Sequence, residues 1–449
     1  MRKMKFIKYT ISIGLIGLLT SCQNYLDVKP LESISDAQTI YDKTSSETAI
    51  RGVYSALAST NYYGTTFQSI GYLSGDNIQW TGSQSQVQEF INKKVNADNS
   101  TIASAWTAIY VTINRANNVI AKVPTVTDPA LTTDLKNQIL GEAYFIRALA
   151  YFDLARTWGG VPLITKPTAS PTENRGIARS TQAETYAQVL ADLTTAEPLL
   201  SATTNRYRAT RKTVWALRAR YHLYQKEWEK AEEYATKLIS DNASYQLVKP
   251  YSAFFANDAR GTAESVFEIF YSTNEPNSHR NQWQPQTNGG TRQWAPNDAL
   301  VALLNDPKVG GGRSALVAKD SQNRWYGNLY YRTPAADPTY VIRIAELYLI
   351  RAEAEANQNK LTAALADLNA IRSRAGIDAS TAQTKEQILL GIENERRLEF
   401  ALEPHRWFDV VRTGRAATVF NVTDNNRLLL PLPAGELLID KALVQNTGY

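Results

Sequence analysis

The sequence predicts an all-α protein for the most part, a degenerate tetratricopeptide-like helical-repeat scaffold carrying long irregular loop insertions. Three observations predict it. Apolar residues recur at helical spacing in nine separate stretches, two of those stretches share one small-residue register, and none alternates long enough to build a large sheet.

The first residues speak to targeting. Arg2, Lys3, Lys5 and Lys8 form a basic start, and the apolar core at 11–19 is too short to span a bilayer as a helix, so 1–21 reads as a signal peptide. The core ends in Leu19-Thr20-Ser21-Cys22, which resembles the lipobox of bacterial lipoproteins. Cys22, the only cysteine in 449 residues, is then the expected acylated residue. An ordinary cleavable signal peptide would leave it incidental. A lipidated tether over 22–31 follows, and then a single domain over 32–449 with loop insertions near 61–86, 274–296 and 321–332.

The formal charge of +5 owes most to targeting: 48 basic residues less the first four leave 44 against 43 acidic. Such a balance gives no electrostatic reason to expect nucleic acid as a partner.

The apolar spacing predicts helices over 45–57, 102–120, 135–157, 181–200, 212–224, 228–239, 342–357, 361–372 and 385–402. The third is apolar around most of its circumference, with Ile139, Ala143 and Ile146 on one side and Phe145, Leu149 and Phe152 on another, which marks a helix buried between neighbours. Ala219 and Ala231 stand twelve apart with Trp228 three before the second; Ala352, Ala364 and Leu361 repeat the register. Small residues there let the two helices of a hairpin approach closely while the bulky one fills the turn. Asp153 with Arg156, and Arg351 with Glu355, stand one helical turn apart and are expected to form ion pairs.

The insertions are rich in Asn, Gln, Thr, Ser and Gly with embedded aromatics. Tyr72, Asp76, Asn77 and Trp80 fall in one, Trp283, Arg292 and Trp294 in another, and Trp325, Tyr326, Tyr330 and Tyr331 in the third. Sugars stack their C–H faces on flat rings and need amide, carboxylate or guanidinium partners around the rim. The candidate ligand-binding set is therefore Tyr72, Asp76, Asn77, Trp80, Trp283, Arg292, Trp294 and Trp325, with the rings forming a common platform. Each of these tryptophans can equally be a staple in the core of its loop.

Several stretches resemble the SusD/RagB family of nutrient-binding lipoproteins over nearly the whole length. They include Tyr25-Leu26-Asp27 with Pro30 after Cys22, Arg51-Gly52-Val53-Tyr54, Asn114-Arg115-Ala116-Asn117, and Glu142-Ala143-Tyr144-Phe145-Ile146-Arg147-Ala148-Leu149 running to Trp158-Gly159-Gly160-Val161-Pro162-Leu163. Arg351-Ala352-Glu353-Ala354, Arg406-Trp407-Phe408-Asp409 and Leu430-Pro431-Leu432-Pro433 continue it. The resemblance implies a surface-exposed lipoprotein of the outer membrane that binds an oligosaccharide and delivers it to a SusC-like TonB-dependent transporter; the RagB branch implies peptide instead.

Catalytic material is sparse. His222, His279 and His405 are scattered and the sole cysteine is assigned to the anchor, so no zinc spacing exists. Gly310-Gly311-Gly312 lacks the Lys-Ser/Thr of a phosphate loop. The expectation is a protein without cofactor or metal, and not an enzyme.

Overall fold

The structure, a computed structural model, describes residues 39–449 apart from Pro171. The signal peptide, Cys22 and the tether lie outside the described residues.

Among the described residues, nine long helices form the scaffold. They are α1 (Lys43–Leu57), α2 (Ser100–Lys122), α3 (Thr133–Trp158), α4 (Gln182–Leu199), α5 (Arg211–Tyr224), α6 (Trp228–Ile239), α7 (Ile344–Asn357), α8 (Leu361–Ala375) and α9 (Lys385–Glu399). They follow the apolar periodicity within a few residues at each end. Short polar side chains stop the frayed N-termini: Asp42 caps α1, Thr181 with Glu184 closes a reciprocal box on α4, and Thr384 with Gln387 does so on α9. Gly376, at φ +76°, takes the left-handed position that ends α8.

Each helix packs on the next in chain order, α1 to α9. The chain of contacts survives an excursion of about a hundred residues between α6 and α7, because α6 packs directly on α7. Ala219, Ala231, Ala352 and Ala364 are all fully buried, as the shared register requires. Every residue of α3 from 145 to 158 is buried, and this helix is the axis of the core. Its charges are paired: Arg147 grips Asp192 of α4 through two bonds of 2.7 and 2.8 Å, and Asp153 accepts from Tyr62, Tyr63 and Arg156.

One expected pair does not form. Arg351 reaches across its hairpin to Asp367 at 2.6 Å and leaves Glu355, one turn away, without that partner. Bidentate geometry to a carboxylate on the facing helix outcompetes the single contact available along its own helix.

Two excursions leave the scaffold. The first, 58–99 between α1 and α2, holds a helix at Thr66–Leu73 and strand β1 (Ile78–Trp80). The composition of 61–86 predicts a loop, but Phe67, Ile70 and Leu73 bury a short helix there. The second leaves and re-enters through an antiparallel ribbon of β2 (Ser265–Ile269) and β6 (Thr339–Arg343). Within it are a one-turn helix His279–Trp283 and strands β3 (Trp294–Pro296), β4 (Val317–Lys319) and β5 (Trp325–Gly327). β1 pairs antiparallel with β3, joining the two excursions, and β4 pairs with β5.

Candidate functional site

Where the excursions meet, the rings cluster. Tyr72, Trp283 and Trp294 stand with centroids 5.5 Å apart in all three pairings, each pair steeply tilted. His279 stacks on Tyr330 at 4.4 Å and completes the group. His279 and Trp283 are four apart on one helical turn and therefore share its inward side. Burial drives the His279 imidazole down to about 3, so it is neutral; Nδ1–H donates to Asn277 Oδ1 at 2.8 Å, which leaves Nε2 to accept the Tyr72 hydroxyl at 3.0 Å.

This cluster is a floor, and the expectation of an exposed platform does not hold for its members. Trp283 is 0% exposed, Tyr72 2% and Trp294 5%, so no saccharide face can reach them. The reason is local: a Cβ on Gly327 would lie 2.5 Å from the Trp283 ring, so that glycine lets β5 lie directly over the indole. Asp76 and Asn77 are also engaged elsewhere. Asp76 is half-buried, which alone would raise its pKa, but hydrogen bonding and charge from Arg406, with Arg397 beside it, hold it below the usual range. Asn77 exchanges hydrogen bonds with Arg397 and is 2% exposed. Together they fasten the first excursion to the C-terminal end of α9 and to the short helix Arg406–Arg412 beyond it.

Trp80, Arg292 and Trp325 remain half-exposed. Trp80 sits opposite Trp294 in the β1–β3 ladder with its ring over Gly82. Arg292 Nε donates to the Trp325 carbonyl at 2.8 Å, and Lys319 Nζ lies 4.9 Å from the Trp325 ring centroid.

The surface of the second excursion also opens into a groove of about 600 Å³, built wholly from that excursion. Tyr326 and Tyr331 supply rings, and Arg280, Thr287, Asn288 and Asn328 supply polar groups. Gln284 holds its shape from below, donating to the carbonyls of Gly327 and Tyr330 at 3.1 and 3.0 Å while its own carbonyl accepts from Asn288. Arg280 spans it, with Nε on the Tyr331 carbonyl and Nη2 on Thr333 Oγ1. The sequence reading noted Tyr326 and Tyr331 but did not choose them; their adjacency to Trp325 in a polar stretch was the available signal.

Another cavity of about 560 Å³ lies between Trp228, Leu389 and Leu390 over a charged floor. Six of its charged groups are already matched with one another, Glu353 with Arg412, Asp409 with Arg396 and Glu393 with Arg415. The groove at Tyr331 is instead lined by amide and hydroxyl groups, Gln284, Asn288, Asn328, Thr287 and Thr333. Among the described residues no three His, Cys, Asp or Glu side chains converge as a metal ligand set, and no helix is long and apolar enough to cross a membrane.

The class the fold defines is a helical-repeat scaffold with a ring-bearing polar groove on a loop excursion inserted between repeats. Two family-wide sequence profiles match, one described as "Starch-binding associating with outer membrane" over 24–223 and one as "SusD family" over 249–427. The chain belongs to the SusD family. It is 28% identical to SusD-like protein P38 of Formosa agariphila over the full length of both chains. Among solved structures it resembles a SusD superfamily protein of Bacteroides vulgatus, with TM-score 0.82, 22% identity, and 90% of this chain and 99% of that one covered. A laminarin-binding SusD-like protein superposes with TM-score 0.79 at 23% identity, over 91% of this chain and 100% of that one. At those identities the two likenesses establish the fold.

Proposed function

We propose that this chain is a non-catalytic glycan-capture lipoprotein of the outer-membrane surface, held by acyl chains on Cys22, which passes an oligosaccharide to a SusC-like TonB-dependent transporter. The observation that carries the reading is the groove at Tyr331, where one partly exposed ring, with the nearly buried Tyr326 beside it, stands among amide, hydroxyl and guanidinium groups. Trp80, Arg292 and Trp325 are the members of the expected set that a ligand can still reach. The name of the laminarin-binding relative makes a β-glucan the first saccharide to try, and that of starch-binding SusD of Bacteroides thetaiotaomicron makes a maltooligosaccharide the second.

Each stacked ring contributes about 0.5–1.5 kcal/mol, and ordering a flexible oligosaccharide opposes that gain, so affinity is expected in the range of roughly micromolar to millimolar. Weak binding suits a protein that must release its cargo. Calorimetry against both saccharides should show Tyr331→Ala weakening binding about 2- to 13-fold, the same interval expressed as a ratio, with an unchanged circular dichroism spectrum. Trp283→Ala is the contrast: it opens the floor and should cost about 3–5 kcal/mol of stability. Undiminished affinity in Tyr331→Ala, or hydrolysis of either saccharide by the purified protein, contradicts the reading.

A further inference from the structure

Buried arginines of the scaffold face carboxylates, as Arg147 does Asp192, Arg220 does Glu346 and Arg412 does Glu353. The cavity at Trp228 follows the same rule, with four cationic side chains lining it against four carboxylates. The groove at Tyr331 departs from it. Among the described residues Arg280 is the one charged side chain that lines this groove, and no carboxylate does. A cleft that carries one sign of charge focuses its field and concentrates ligands of the opposite sign.

Arg280 comes from the one-turn helix His279–Trp283 and is half-buried. Its Nε donates to the Tyr331 carbonyl at 3.3 Å, and its Nη2 donates to the Asn288 carbonyl and to Thr333 Oγ1, the latter at 3.1 Å. All three acceptors are neutral, so the guanidinium is fixed in place without being neutralised. Nη1 makes no hydrogen bond among the described residues and sits beside Gly289, where a Cβ would lie 3.8 Å from it. Two acids stand in the surroundings, and neither cancels this charge. Asp337, which the charge of Arg280 reaches, is buried and pairs with Arg332 at 3.3 Å. Asp258, near Tyr331, lines no part of the groove.

We propose that the groove at Tyr331 selects acidic saccharides, a carboxylate or sulfate of the glycan accepting from Arg280 Nη1 while a sugar ring packs on Tyr331. The proposal rests on the glycan-capture reading above and names the class of glycan. A guanidinium already held by three hydrogen bonds loses little freedom when an anion arrives, so the pair is stronger than a contact between two mobile surface side chains. A sugar hydroxyl in the same place leaves the charge unmatched. Because a charge-assisted hydrogen bond exceeds a neutral one, the expected preference for an acidic saccharide over its neutral counterpart is about tenfold.

Calorimetry of the full chain compares each acidic oligosaccharide with a neutral counterpart of the same backbone: an oligogalacturonate with its carboxyl-reduced form, and a sulfated galactan oligosaccharide with its desulfated form. The β-glucan and the maltooligosaccharide complete the panel. Wild type should bind an acidic member about tenfold more tightly than its counterpart, and the arm that shows the preference assigns carboxylate or sulfate. The advantage should shrink as salt rises from about 0.01 M to about 1 M, over which the screening length falls from about 30 Å to about 3 Å. Arg280→Gln should erase it and Arg280→Lys should retain part of it, each with an unchanged circular dichroism spectrum. The salt titration uses wild type alone, so it decides even where Arg280→Gln does not fold. Equal affinity for charged and uncharged members, binding of neutral saccharides only, or a preference that survives in Arg280→Gln overturns the acidic class and leaves glycan capture standing. If no member of the panel binds, charged or neutral, glycan capture fails and the preference fails with it.

Discussion

Glu399 is buried with both oxygens held by arginines: Arg343 and Arg374 on one, Arg313 at 3.1 Å on the other. Burial alone would raise its pKa, yet the charges of Arg374, Arg343 and Arg313 win and hold it at about 2. The folded value lies below the unfolded one, so this carboxylate stabilises the fold above about pH 4.3 and loses that contribution as pH falls toward 2. Glu399→Gln should therefore destabilise the protein by about 3–5 kcal/mol at neutral pH and blunt its acid unfolding, both measured by chemical denaturation across pH. Stability unchanged by the substitution would contradict the network. The sequence reading expects Asp153 and Arg156 to pair, and they do. It could not tell which tryptophans were core. Trp283 lies between Gln282 and Gln284 in a strongly polar stretch, but its neighbours in space are Tyr72, Trp294 and the backbone of Gly327. Composition along the chain is blind to contacts between excursions more than two hundred residues apart.

At the scale of elements, the helices were legible because each carries its own periodicity and most carry a capping residue. The short helix Thr66–Leu73 was not, since Gln68, Ser69 and Gly71 are buried along with its apolar side chains and erase the pattern. The same limit applied to Arg351, whose partner is Asp367 on the next helix. Glu355 is left 7% exposed between α7 and its neighbours. Burial first, and then repulsion from Asp367, raises its pKa to about 7 against the pull of Arg351. Because the folded value exceeds the unfolded one, its contribution is fully present below about pH 4.3 and is lost as pH rises through 7. Glu355→Gln should stabilise the hairpin by about 1–3 kcal/mol at pH 8 and by little at pH 4.5. Melting curves at the two pH values test this; equal effects at both would show that Glu355 is ionised throughout.

Across the whole molecule, the repeat scaffold holds two excursions at a fixed separation, and the β1–β3 pairing locks them together over an aromatic floor. That arrangement presents the groove on loops held by the scaffold. The sequence made the division between scaffold and insertions visible, but the pairing of insertions follows from tertiary contacts alone. The central claim is that saccharide is captured in the groove of the second excursion. Hydrogen–deuterium exchange of the full protein, with and without a saturating β-glucan or maltooligosaccharide that binds by calorimetry, addresses it most directly. Protection confined to peptides covering 279–290 and 325–333 is the predicted result; protection on the helices of the repeat scaffold, with those peptides unchanged, would contradict it.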